Sequence, residues 1–323
     1  MDEKKLRIVF MGTPDFAVNT LDILFTNGYN IVGVVTVPDK PSGRGKKIQE
    51  SAVKSFAKQH HLNLLQPDNL KDEGFVNDLK QLQPDLQIVV AFRKLPEIVW
   101  SLPKYGTFNL HASLLPQYRG AAPINWAIIN GETTTGVTTF FINDIIDSGN
   151  IIFYDKVDIL PSDTFGELHD KLMKVGAGIV VKTINAISSN TINPIKQETY
   201  NILNKNIKIA PKIFKADCRI NWAKSSSDIF NFIRGLSPYP TAFMELLSPT
   251  SEKYTLKVFG GHVVNEETLY VPGSINTNGK TFLNVSCSDG WISIDHLQLM
   301  GKKDMNIDQF LRGFPIMNQW KAL

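Results

Sequence analysis

Two cysteines, Cys218 and Cys287, are all that 323 residues contain, and neither sits in a paired Cys or Cys/His spacing. That scarcity excludes a disulfide framework and offers no thiolate zinc site, and it fits a reducing compartment. Long apolar runs are missing too. The opening MDEKKLRIVFMG places about half a dozen apolar residues after its charges and runs into Gly-Thr-Pro, too short a core for a secretory signal. No later window approaches the roughly eighteen apolar residues of a membrane span. A cytoplasmic protein with no membrane partner is the expectation. Internal repeats and low-complexity tracts are also lacking. So are the second and third glycines of a dinucleotide fingerprint: GTPDFA at 12–17 has one glycine, and its Pro14 removes a backbone donor where pyrophosphate would sit. Neither a nicotinamide or flavin cofactor nor a metal is expected.

What is present reads as globular protein: 43% hydrophobic and 20% charged residues over a length that admits two domains. The net charge of +3 is unevenly distributed. Lys and Arg number 20 against 21 Asp and Glu over residues 1–204, but 14 against 10 over 205–323. A surplus of that size is common on an ordinary surface and points to a polyanion only with other support.

The N-terminal half alternates strand and helix signals. RIVFM at 7–11 is a continuous apolar run, Thr13 and Pro14 suit an N-cap and a first helical position, and Phe16, Leu21, Leu24 and Phe25 mark an amphipathic helix. A strand at 31–37, a helix near 50–60, a strand near 63–66, a helix near 75–82 and a strand at 86–92 continue the pattern of a doubly wound α/β domain. A strand at 107–112, a helix near 122–130, two further strands and a helix at about 163–187 complete a domain of residues 1–188. Residues 189–206 are polar, Asn-rich and weakly periodic, as a linker would be. Over 207–323, short strand-like runs alternate with turn pairs such as Pro-Gly and Asn-Gly, which predicts a small β-barrel or sandwich.

Three stretches carry chemistry. In TFNLHASLLPQYRGAAPI at 107–124, Asn109 and His111 point to one strand face near the carboxyl end, where open α/β sheets place their ligand crevices. An Asn offers a neutral donor to a developing oxyanion, and a His holds or moves a proton. A histidine satisfied in the core beside a turn-starting Asn would share the pattern. In NDIIDSGNI at 143–151, Asp144 and Asp147 occupy a loop between apolar strands. Such carboxylates are often turn formers, but one near His111 could orient its ring and fix its tautomer. In PDKPSGRGKK at 38–47, Lys40, Arg44, Lys46 and Lys47 crowd a Gly- and Pro-rich loop, either a solvated loop or a phosphate contact.

These residues, together with RINW at 219–222, PYP at 238–240 and GKKDM at 301–305, resemble the methionyl-tRNA formyltransferases, a branch of the folate-dependent formyltransferases, across nearly the whole chain. The resemblance implies a Rossmann-like domain followed by an OB-like barrel that binds tRNA. It also implies transfer of the formyl group of 10-formyltetrahydrofolate to the free amine of initiator methionyl-tRNA for translation initiation. No obligate protein partner is implied. By position, Asn109, His111 and Asp147 would be catalytic; Phe92, Arg93, Leu95, Ser113, Leu114, Leu115, Pro116 and Asp144 would meet the folate; Lys40, Arg44, Lys46 and Lys47 would meet the tRNA. The chain departs from the family at Arg93, where a Gly is usual, and at Asp144-Ile145, where Glu-Gly is usual. A formyl-folate hydrolase and a non-catalytic RNA-binding module are the competing readings. The basic loop argues against the first and the Asn109, His111, Asp147 set against the second.

Overall fold

The computed structural model describes residues 3–42, 47–199, 206–264, 266 and 269–323. Its chain groups into two compact units. One comprises Met1–Gly120, Thr134–Asp158 and His169–Ile209, the other Ala121–Thr133, Ile159–Leu168 and Ala210–Leu323.

In the first unit the elements run β1 (Ile8–Gly12), α1 (Asp15–Thr26), β2 (Ile31–Val35), β3 (Lys40–Ser42), β4 (Lys47–Gln49), α2 (Ala52–Gln59), β5 (Leu64–Leu65), α3 (Glu73–Gln81), β6 (Leu86–Val90), α4 (Glu97–Trp100), β7 (Thr107–His111) and β8 (Arg119–Gly120). After α5 (Pro123–Ile129), which groups with the second unit, follow β9 (Thr134–Phe141), β10 (Ile151–Asp158) and α6 (Phe165–Ser188), whose first turn also belongs to the second unit. The main sheet has the order β10-β9-β7-β6-β1-β2-β5. β5, β2, β1, β6 and β7 are parallel, and β9 and β10 add antiparallel strands at the edge. Every residue of β1 and β6 is buried, as expected of central parallel strands covered on both faces, and their apolar runs, interrupted in β6 by Gln87, reflect it. The order reverses between β1 and β6, the point beyond whose strand carboxyl ends open α/β sheets generally form a crevice.

Helix α1 starts one residue later than its sequence predicts. Pro14, with ψ 177°, is extended and serves as the N-cap, so Thr13 lies outside and Asp15 is the first helical residue. Ala17 N–H donates to Pro14 O to close the first turn, and no side chain caps it.

The expected linker is not a free tether over its described part. Ile195 and Ile151 exchange two backbone hydrogen bonds of 2.8 Å, and Gln197 is fully buried in the first unit. Residues 200–205 lie outside the described residues.

After β11 (Ile209–Ala210), whose second residue opens its last stretch, the second unit continues with α7 (Ser226–Gly235), β12 (Ala242–Leu247), β13 (Lys253–Val264), β14 (Ile275–Thr277), β15 (Leu283–Ser286), β16 (Trp291–Leu299), β17 (Asp304–Asn306), α8 (Ile307–Gly313) and β18 (Lys321–Ala322). Its antiparallel sheet runs β14-β15-β16-β13-β12-β18, with β17 on β16. The ends meet: Ser274 bridges to Lys321, and Ala322 N–H donates to Gly273 O at 2.8 Å, closing the sheet into the expected small barrel. Gly273 is required at this seam, because at φ +88° a Cβ would lie 2.2 Å from Ala322 O. Ile229 and Ile233 of α7 and Ile307, Phe310 and Leu311 of α8 complete the barrel core. Helix α5 docks on α7, with Asn125 Nδ2 donating to Gly235 O at 2.8 Å.

Candidate active site

β7 lies between β6 and β9, with Asn109 opposite Val89 and Phe140, and His111 opposite Thr138. Residues two apart on a strand share a face, so Asn109 and His111 emerge together. Asn109 is half-buried and His111 is buried.

The chain after His111 turns back on itself, and Thr138 pins the turn. Thr138 Oγ1 donates to Ser113 O at 2.6 Å and accepts from Leu115 N at 3.2 Å. Ser113 Oγ donates to Gln117 O at 2.6 Å, and Pro116 follows a cis peptide bond. The turn delivers the Tyr118 carbonyl to 2.9 Å from His111 Nε2. A carbonyl only accepts, so the proton of the ring resides on Nε2 and its other nitrogen, Nδ1, is directed elsewhere.

Nδ1 faces Asp147, whose Oδ2 lies 3.9 Å away. The same oxygen accepts from Gly120 N at 3.0 Å. Both side chains are shielded, 7% exposed for His111 and 15% for Asp147. The separation exceeds a hydrogen bond but is within ion-pair range. Tyr118 and Asp147, which flank the ring, are both left-handed, at φ +60° and +53°. Non-glycine residues take this conformation at a cost and concentrate at functional sites.

The loop carrying Asp147 is built locally. Asn143 Oδ1 accepts from Ile145 N and from Ser148 Oγ, each at 3.0 Å. Gly149 is packed so closely that a Cβ would lie 1.6 Å from Phe141 O. From outside the loop, Gln197 Nε2 donates to the carbonyls of Asp147 and Gly149. Gln197, the Tyr118 carbonyl and the Gly120 amide escape a sequence reading. Two of them are main-chain groups without a side-chain signature, and Gln197 lies in the stretch with the weakest periodicity.

The folate candidates divide. Leu95 is buried in the cluster of Met11, Val89 and Val99, with Phe92 and Ile142 packed against it. Leu115 packs with Phe140 and Ile151, and Pro116 is buried, while Leu114 remains partly exposed. The Arg93 guanidinium donates to the carbonyls of Pro67 and of Asp68, the latter at 2.7 Å, and burial pushes its pKa down. Asp144 is exposed beside Ile145 and Ile146, which are 68% and 57% exposed.

Of the basic stretch, Lys40 is exposed at the start of the two-stranded ribbon β3-β4. Arg44, Lys46 and the side chain of Lys47 lie outside the described residues. The nearby carboxylates are engaged: Lys54 Nζ donates to Asp39 at 2.6 Å, holding that carboxyl below its usual range, and Lys58 pairs with Glu50 at 2.9 Å. Between the ribbon and the start of α1 lies a cavity of about 510 Å³ lined by Thr13, Pro14, Val37, Lys40, Gln49 and Ser51. Among the described residues no group of three or more His, Cys, Asp or Glu could hold a metal ion, and no helix is long and apolar enough to cross a membrane.

Two family models match the chain: formyl transferase over residues 6–184, and formyl transferase, C-terminal domain, over 212–315. The chain is similar to the methionyl-tRNA formyltransferase of Bacteroides thetaiotaomicron, 51% identical over 321 residues that cover 99% of each chain. It is similar also to the methionyl-tRNA formyltransferase of Flavobacterium johnsoniae, 49% identical over 320 residues and again 99% of each. Its fold is similar to that of a solved sugar 3N-formyl transferase, WlaRD, with a TM-score of 0.63, 23% identity and coverage of 92% of this chain and 99% of that one.

Proposed function

The chain belongs to the formyl transferase family, and we propose that it moves the formyl group of 10-formyltetrahydrofolate onto the free amine of initiator methionyl-tRNA in the cytoplasm, giving N-formylmethionyl-tRNA for translation initiation. The observation that carries the reading is His111, held by the Tyr118 carbonyl at Nε2 and faced by Asp147 at Nδ1, beside Asn109 on the same strand face.

In this reaction a neutral amine attacks the formyl carbon, the carbonyl oxygen gains negative charge, and the C–N bond to the folate N10 breaks. One proton leaves the amine and one reaches N10. Asn109 donates from its amide to the oxygen as charge develops, a contribution that removal of one such donor puts at about 10²–10³ in rate. His111, whose Nε2 proton is taken by the Tyr118 carbonyl, exchanges a proton with the reacting nitrogens at Nδ1 and becomes a second donor only while Nδ1 carries that proton. Asp147 stabilises the imidazole whenever it carries both protons and passes protons through water.

The folate lies where β6, β7 and the loop of 142–150 meet. Phe92, Leu114 and Asp144 offer side chains there. Ser113, Leu115, Pro116, Arg93 and Leu95 contribute chiefly by shape and main chain, because their side chains are engaged within the protein. The α/β part, residues 1–188, carries the chemistry. The barrel, residues 207–323, and the loop of Lys40, Arg44, Lys46 and Lys47 hold the tRNA by phosphate contacts.

An assay with labelled formyl donor and three acceptors tests this: charged initiator tRNA, glycinamide ribonucleotide and water. Label should appear on methionyl-tRNA alone. Faster labelling of glycinamide ribonucleotide, or release of formate as the main product, would refute it.

A further inference from the structure

Asp147 is held from both ends. Its carboxylate accepts the Gly120 N–H, and its main-chain carbonyl accepts an N–H of Gln197 at 2.9 Å. The other Gln197 N–H goes to Gly149 O at 2.8 Å. Gln197 Oε1 in turn accepts from Nε and a terminal nitrogen of Arg119, at 3.1 and 2.6 Å. Every hydrogen-bonding position of this fully buried amide is filled. The two carbonyls demand donors and the guanidinium demands an acceptor, so the amide has one orientation. Because Arg119 precedes Gly120, one dipeptide grips Asp147 twice: through the Gly120 amide, and through Arg119 acting on Gln197.

We propose that Gln197, oriented by Arg119, is a positioning residue for formyl transfer, keeping the left-handed turn at Asp147 in place so that its carboxylate faces His111. The inference rests on the function proposed above. Gln197 acts through main-chain carbonyls and touches no reacting group, so it belongs to the geometry of the site rather than to its chemistry. That geometry is sensitive. The 3.9 Å gap between Nδ1 and Oδ2 lies at the edge of ion-pair range, and a displacement of about 1 Å in a catalytic group can cost 10²-fold in rate. Without the amide, two carbonyls and a guanidinium lose their partners in a shielded site, and the turn at φ +53° is free to relax.

The test is steady-state formylation of charged initiator tRNA by wild type, Asp147→Asn, Gln197→Ala and Gln197→Glu, with rates expressed per folded molecule from circular dichroism and thermal unfolding. Gln197→Ala should lower kcat by about 10–10²-fold while KM for folate and for tRNA stays within about threefold. Gln197→Glu, which can still meet Arg119 but has no donor for the carbonyls, should fall as far. The pH profile of kcat for Gln197→Ala should move in the same direction as that of Asp147→Asn, which a loss of folded protein alone would not produce. Adding Arg119→Leu to Gln197→Ala should lower kcat no further, because the two act in series. If wild type fails to formylate the tRNA, the proposed function falls and this inference with it. If Asp147→Asn matches wild type, there is nothing for Gln197 to position. If both behave as expected and Gln197→Ala or Gln197→Glu retains wild-type kcat, the positioning role alone is overturned.

Discussion

Replacing Asp147 with Asn removes one charge and little else. The amide oxygen still accepts the Gly120 N–H, which in the native protein sits 3.0 Å from Oδ2, so the loop should keep its shape. What disappears is the attraction between the carboxylate and an imidazolium at His111. At 3.9 Å and an effective dielectric of about 20, that attraction is about 4 kcal/mol. Both side chains are well shielded, at 7% and 15% exposure, so solvent discounts the figure little. Each 1.4 kcal/mol is about tenfold in rate, so a transition state that gains most of this attraction loses about 10²–10³ on substitution. The assay is single-turnover formyl transfer with both substrates bound, accompanied by folate titration and thermal unfolding. Folate affinity should stay within about threefold and stability within about 1 kcal/mol. A transfer rate within threefold of wild type would show Asp147 to be a turn residue with no part in the proton chemistry.

Gly149→Ala should disable the same loop for a steric reason. Its Cβ would lie 1.6 Å from Phe141 O, so the loop must open, at about 1–3 kcal/mol of stability and with loss of transfer; an unchanged melting temperature would contradict the packing described. In the barrel, Asp289 Oδ1 accepts from Ser226 N at 2.6 Å at the start of α7, and this bond foremost holds its carboxyl below the usual range. A depressed carboxylate contributes stability that is present above the ordinary range near pH 4 and is lost as pH falls through the lower, folded value. Asp289→Asn should therefore flatten the acid limb of barrel stability, and urea titrations at several pH values that gave parallel curves would rule this out. Replacing Arg44, Lys46 and Lys47 with Ala should weaken charged-tRNA binding and reduce its salt slope by roughly 0.7–0.9 for each phosphate left without its cation, with folate affinity unaltered. Equal slopes would leave the barrel alone to hold the phosphates.

The parts of this protein legible in its sequence are those in which a side chain announces its own environment. The continuous apolar run of β1 and the largely apolar one of β6 reveal strands buried on both faces, and the period-2 spacing of Asn109 and His111 reveals a shared face at a strand end. Asp147 is legible for its carboxylate, but its left-handed φ of +53° and its reach to Gly120 come from the fold of the whole loop. Gln197 is opaque for a physical reason. It is a polar residue in an Asn-rich stretch, and its burial follows from the guanidinium and the two carbonyls that meet it, one supplied some 80 residues earlier by Arg119 and two some 50 residues earlier by the Asp147 loop. The same holds for grouping: α5 reads as a continuation of the α/β alternation, yet it packs on α7 through Asn125 and Gly235. The family resemblance puts Arg93 among the folate contacts, while its guanidinium closes on Pro67 and Asp68.

The most direct test of formyl transfer at this site is the single-turnover rate of His111→Ala, with methionyl-tRNA and labelled 10-formyltetrahydrofolate at saturation. The ring joins the Tyr118 carbonyl to the Asp147 carboxylate and stands beside Asn109, so its removal should leave a folded protein that binds both substrates and transfers label at least about 10²-fold more slowly. Transfer to methionyl-tRNA at the wild-type rate would place the chemistry elsewhere in the molecule.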